Sequence, residues 1–142
     1  MPVSTSTPMI GNIDRLPNAI SYYEAAISAD ETITNNYWHL GVAYLLAGRE
    51  DDAQAAWFTP LATADEIEVD NLTTDLIDIL EQAANHQFEI PDLAQALLLR
   101  QHIWTLVPDR LENILYLVYL SNRLETLTAA SLIEWQVNEV LQ

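Results

Sequence analysis

Apolar residues recur every three or four positions along this chain, and no stretch alternates apolar and polar residues as a half-buried strand does. This spacing places side chains on one side of an α-helix, because a helical turn holds about 3.6 residues. The first such stripe consists of Leu16, Ala19, Ile20, Tyr23, Ala26 and Ile27. With three glycines in 142 residues to interrupt it, the pattern predicts an all-α protein.

Prolines, capping residues and one glycine set the helix boundaries. We predict about seven helices, over residues 14–29, 34–47, 50–62, 72–86, 92–106, 110–124 and 128–140. Gly48 is expected to end the second helix in the left-handed conformation, and the acidic trio 50–52 suits the positive N-terminal end of the third. Pro60 is expected to kink or stop the last turn of the third helix, and the acidic stretch 63–70 is predicted to be a loop or frayed turn. Helices of this length with short links indicate an antiparallel array.

The domain organisation predicted from composition is simple. Residues 1–13 are rich in Ser, Thr and Pro and are predicted to form a flexible arm, and residues 14–142 are predicted to form one helical domain. Half of the residues are apolar, which excludes a disordered chain. There is no cysteine, so disulfides and thiolate metal sites are excluded.

The net charge of the chain limits the kinds of partner that it can bind. The chain has 21 acidic residues, five arginines and no lysine, for a formal net charge of −16. Such a charge repels phosphate backbones and anionic membranes, and it attracts partners with basic segments. The longest apolar run spans only residues 114–120, and the N-terminus lacks signal-peptide features, so we expect a cytoplasmic protein.

Within residues 34–67, one set of aromatic and small residues has a distinctive spacing. The set consists of Tyr37, Leu40, Gly41, Tyr44, Gly48, Ala53 and Trp57. Small residues let two helices approach closely, and the aromatic residues fill the space between neighbouring pairs. The stretch resembles the 34-residue tetratricopeptide repeat, although Pro60 and Asp65 depart from its pattern. A half unit precedes it, and degenerate units begin at Ile77 and Leu111, the former with Arg100 where an aromatic residue is usual.

The resemblance implies a right-handed array of antiparallel helix pairs whose first helices line a concave, partner-binding surface. Carrying the inward positions of the family onto this sequence gives twelve candidate residues. They are Asn35, Trp38, Val42, Leu45, Asp78, Glu81, Asn85, Phe88, Glu112, Leu115, Tyr119 and Asn122. This surface suits a peptide or protein with basic and apolar segments. The alternative for Trp38 and Tyr119 is that a neighbouring helix covers them, and the sixth helix, apolar on nearly every face, is expected to be buried.

The sequence lacks the constellations that catalysis requires. His39, His86 and His102 have no metal-ligand spacing, and the acidic stretch 65–70 lacks the glycine and later glutamate of a calcium loop. Phosphate-binding loops, nucleophile elbows and cysteine nucleophiles are absent from the sequence. We therefore expect a non-enzymatic protein with no metal and no cofactor.

Three functional hypotheses follow. The leading one is a protein-interaction scaffold. The second, implied by the resemblance, is an accessory N-terminal module of a larger bacterial transferase, such as a glycosyltransferase or methyltransferase. The third is a self-assembling structural domain that uses the apolar stripe of the last helix. That stripe consists of Leu132, Ile133, Val137, Val140 and Leu141.

Overall fold

The structure, a computed structural model, describes residues 15–125. This part of the chain contains six α-helices and no strand, which confirms the all-α prediction. The helices are α1 (Leu16–Ala29), α2 (Thr34–Leu46), α3 (Glu50–Leu61), α4 (Glu66–Glu89), α5 (Leu93–Leu106) and α6 (111–125). The predicted arm 1–13 and the predicted seventh helix 128–140 lie outside the described residues.

The chain divides into two compact units, with the boundary after Ala83 within α4. The first unit contains α1, α2, α3 and most of α4. The second contains the end of α4 together with α5 and α6.

The turn after α2 forms as the sequence predicts. Gly48 has a φ of 81°, a left-handed conformation that glycine adopts without steric cost. Its N–H donates to the carbonyl of Leu45 at 3.0 Å, and the N–H of Arg49 donates to the carbonyl of Tyr44 at 2.8 Å. These two bonds are the Schellman arrangement, which satisfies carbonyl groups left open at the helix end.

The loop or frayed turn predicted over residues 63–70 is confirmed only for 63–65, and it is wrong for 66–70 because α4 already begins at Glu66. The Asp65 carboxylate accepts a hydrogen bond of 2.9 Å from the backbone N–H of Glu68, as a helix-capping residue does. Glu66 and Glu68 then lie in the first turn, where the helix dipole favours negative charge. The acidic residues that suggested a solvated loop therefore stabilise a helix start.

The core of the first unit forms where α2 packs against α1 and α3. Gly41 lies against the Trp57 indole so closely that a Cβ atom at position 41 would overlap the ring. The indole Nε1 donates a hydrogen bond of 3.1 Å to the Trp38 backbone carbonyl. The Tyr44 hydroxyl reaches α1, where it donates to the Glu24 carboxylate at 2.8 Å. Helix-pair packing is therefore present, with a small residue at the closest approach.

Candidate functional site

In the first unit, the structure buries three of the predicted groove residues. Trp38 and Val42 are 0% exposed and Leu45 is 1% exposed, so the prediction that these side chains meet a partner is wrong. The physical reason is the composition of α2, in which every residue from Leu40 to Leu46 is buried. A helical segment with apolar residues on all sides is buried on all sides, including the side that the tetratricopeptide pattern would expose to a partner.

The remaining predicted residues of the first unit are polar and lie at or near the surface. Asn35 and Asp78 are exposed, and Glu81 is half-buried. Without the three apolar residues, these side chains do not form an apolar surface that could bind a partner segment.

In the second unit, the predicted residues are more accessible. Glu112, Leu115, Tyr119 and Asn122 all lie on α6 and are exposed. Tyr119 is half-exposed, so the alternative that a neighbouring helix covers it is wrong for this residue. Two further predicted residues, Asn85 and Phe88, lie near the end of α4 and contact α5 or α6 through their side chains.

The most exposed apolar surface of this unit runs along α6. Leu111 is 68% exposed, Leu115 61%, Val118 54% and Tyr119 50%. At 3.6 residues per turn, these positions fall within about 100° of the helix circumference. We refer to Leu111, Leu115, Val118 and Tyr119 as the α6 apolar face.

The opposite side of α6 is anchored. Asn113 is 1% exposed and Leu120 is fully buried, and both point away from the α6 apolar face. The prediction that the sixth helix is buried is therefore wrong for the α6 apolar face. Its apolar residues divide into a covered side and an open side.

A buried polar network holds this covered side in place. The Arg100 guanidinium donates from Nη2 to the Asn85 side-chain oxygen at 2.7 Å and from Nη1 to the Asn113 side-chain oxygen at 3.4 Å. The Asn113 amide donates back to the Arg100 carbonyl at 3.0 Å. The guanidinium also lies 4.0 Å from the centre of the Tyr116 ring, a cation–π geometry.

An aromatic cluster supports the edge of the α6 apolar face. Phe88 packs with ring centroids 5.8 Å from Tyr116 and 5.9 Å from Tyr119. Aromatic pairs at such distances contribute about 0.5–1.5 kcal/mol beyond their buried area. Phe88, assigned to the groove from sequence, therefore positions Tyr119 and contributes little open surface of its own.

The sequence-based prediction of the binding surface did not include two members of this face, Leu111 and Val118. The sequence did indicate the face, because its four apolar residues have the helical spacing i, i+4, i+7 and i+8. It was hidden because α6 carries apolar residues on its other sides as well.

The first unit contains two buried polar atoms with no hydrogen-bond partner among the described residues, the Tyr23 hydroxyl and the Trp38 Nε1. Burial, and secondarily the nearby Tyr22, raises the pKa of Tyr23 to about 12. The Tyr23 ring stacks on His39 with centroids 5.3 Å apart. Burial lowers the pKa of His39, because the charged imidazolium is poorly solvated there.

Within residues 15–125, His, Asp and Glu form no group of three that could hold a metal ion. The acidic stretch 65–70, considered above as a calcium loop, includes the capping Asp65 and the first turns of α4. In the same part of the chain, no helix is long and apolar enough to cross a membrane.

No family model matches the chain, and no curated protein matches its sequence. The tetratricopeptide resemblance thus stays a prediction based on the residues of the repeat.

Proposed function

We propose that this protein is a non-catalytic interaction module that binds a partner protein through the α6 apolar face. The observation that carries this proposal is the exposure of four large apolar side chains on one side of α6. Contiguous exposed apolar surface on an otherwise polar protein commonly marks an interaction site. Tyrosine is also among the residues that contribute most to binding at interfaces.

The partner that fits this face is a protein segment with apolar anchors and basic flanks. The chain has a formal net charge of −16, so a second copy would be repelled and a basic partner attracted. Glu112 lies exposed beside the apolar face and offers a carboxylate to a basic flank of the partner. The apolar contact supplies affinity, and the charge supplies attraction that salt weakens.

We further propose that the helices of the first unit are arranged as tetratricopeptide-like pairs. The close approach at Gly41, the left-handed Gly48 and the fully buried Ala53 support this arrangement. Each of these residues matches the family pattern and has the packing role that the pattern implies. The interaction function does not depend on this classification.

The partner segment can be identified by site-specific photo-crosslinking in a lysate of the source organism. A photoreactive phenylalanine analogue replaces Leu115 in one sample and Phe58 in the control, because Phe58 of α3 is equally open at 65% exposed. We expect position 115, and not position 58, to crosslink to an apolar segment with basic flanks. Crosslinking of position 115 only to a second copy, only to an acidic segment, or to the same proteins as position 58 would overturn the proposal.

A further inference from the structure

The first unit contains a cavity of about 610 Å³ at which the α1–α2 turn meets the start of α2, the end of α3 and the start of α4. The residues that line it include Glu31, Glu68, Tyr37 and Asn71. Among the described residues, no lysine, arginine or histidine contributes to it. Its size lies within the range of cavities that bind small molecules.

Two of the lining residues, Tyr37 and Thr59, carry hydroxyl groups that already donate their protons within the protein. The Tyr37 hydroxyl donates to the backbone carbonyl of Glu31 at 3.2 Å, and the Thr59 hydroxyl donates to the carbonyl of Ala55 at 2.8 Å. A hydroxyl group has only one proton, so toward a ligand each can act only as an acceptor. Together with the carboxylates of Glu31 and Glu68, these hydroxyl oxygens give the lining residues several hydrogen-bond acceptors.

Pro60 and Leu72 add an apolar side to the same cavity. A long cationic side chain typically lays its methylene groups along apolar surface and directs its charged end to polar groups. The combination of an apolar side with acceptor oxygens and two carboxylates matches such a group.

We propose that this cavity, which we call the Tyr37 pocket, binds an organic cation with several N–H donors, either a guanidinium or a primary ammonium group. The cation comes either from an arginine or lysine side chain of another protein or from a free polyamine. The site lies in the first unit and does not depend on the α6 apolar face.

The test measures binding of three probes by calorimetry and by chemical-shift changes in ¹⁵N-labelled protein. The first is N-acetyl-arginine amide, and the second is the citrulline analogue, in which a neutral urea group of the same shape replaces the guanidinium. The third is spermidine. We expect the arginine probe to bind and shift the resonances of residues around Tyr37, and the citrulline analogue not to bind.

Matched variants distinguish binding of the cation in the Tyr37 pocket from nonspecific attraction of the cation to the acidic protein. Glu68→Gln and Tyr37→Phe each remove an acceptor from the wall, and we expect each to weaken binding roughly threefold to tenfold. Glu66→Gln removes the same charge from the same helical turn, but Glu66 is outside the wall, so binding should stay unchanged. Near-ultraviolet circular dichroism checks that each variant is folded.

The outcomes show whether the Tyr37 pocket binds an organic cation and which source the cation comes from. Tighter binding of the arginine probe than of spermidine supports a protein side chain, and the reverse supports a free polyamine. Binding of neither cation, equal binding of the citrulline analogue, or equal losses in Glu66→Gln and Glu68→Gln would overturn the proposal.

Discussion

The indole nitrogen of Trp57 on α3 donates a hydrogen bond of 3.1 Å to the backbone carbonyl of Trp38 on α2, beside the contact between the indole and Gly41. The Trp57 ring can lie this close to α2 because residue 41 is glycine, which has no Cβ atom to overlap the ring. This contact links the repeat pattern in the sequence to the packing of the first unit.

Gly41→Ala should therefore destabilise the protein. In an exposed helix interior, alanine is more favourable than glycine by about 0.5–1 kcal/mol, but here its Cβ would overlap the buried Trp57 ring. We expect the free energy of unfolding in urea to fall by about 1–3 kcal/mol.

A double-mutant cycle with Trp57→Leu provides the control for Gly41→Ala. A smaller side chain at position 57 makes room for the added methyl group, so the two substitutions together should cost less than their sum. Additive costs, or a stabilising Gly41→Ala, would contradict the close packing described above.

Arg100→Lys should destabilise the second unit despite keeping the charge. A lysine ammonium cannot reproduce the planar fork that reaches both Asn85 and Asn113, so the amide oxygens, of which that of Asn113 is buried, would lose donors. We expect a loss of about 1–3 kcal/mol in urea unfolding. The matched control is Arg123→Lys on the exposed surface of α6, which should change stability by less than about 0.5 kcal/mol. Equal effects of the two variants would show that Arg100 has no special role.

Tyr23 should ionise only at a pH well above the ordinary pKa of tyrosine. Its pKa is raised to about 12 by burial, so its neutral form stabilises the fold fully below pH 10.0, and this contribution is lost as the pH rises through about 12. Burial also raises the pKa of Tyr44, so the Tyr23→Phe variant is needed to assign the step in the phenolate absorbance near pH 12 to Tyr23.

Tyr23→Phe also removes a buried hydroxyl that has no hydrogen-bond partner among the described residues. We therefore expect stability at pH 7 to be unchanged or higher, and unfolding to require a higher pH than in the wild type. If the late ionisation step persisted in Tyr23→Phe, or the variant were strongly destabilised at neutral pH, the description of this site would be wrong.

His39 should make the protein less stable in mild acid. Burial lowers its pKa below 6.5, so the neutral imidazole contributes stability above pH 6.5 that is lost as the pH falls through the folded-state pKa. His39→Gln removes this titration. The unfolding free energy of the wild type should therefore fall relative to that of His39→Gln as the pH is lowered from 6.5. If the wild type kept or gained stability relative to His39→Gln over that range, the lowered pKa of His39 would be contradicted.

Local features could be predicted from the sequence because they depend on near neighbours. Gly48 ends α2 as expected, since only glycine adopts its conformation easily. Gly41 allows the close helix approach expected of it, whereas Trp57, expected to fill the space between neighbouring helix pairs, packs against Gly41 within one pair. The start of α4 was missed because the same acidic residues suit both a solvated loop and the first turn of a helix.

Exposure could not be predicted in the same way, because it depends on contacts between distant segments. Trp38 and Leu115 were assigned to one surface, yet Trp38 is buried and Leu115 is open. The identity of an apolar residue does not indicate whether another helix covers its side chain. Arg100 illustrates the same limit, since its position where the repeat usually has an aromatic residue gave no sign of its Asn85 and Asn113 partners.

The central claim, that the α6 apolar face is the interaction surface, is tested most directly by the dissociation constant of the crosslinked partner segment, prepared as a peptide. Leu115→Gln with Val118→Gln keeps good helix formers on α6 while it removes the open apolar side chains, and Phe58→Gln is the control on α3. We predict roughly tenfold or weaker binding for the double variant, unchanged binding for the control, and binding that weakens as salt is raised. Unchanged affinity in the double variant, or an equal loss in Phe58→Gln, would contradict the claim.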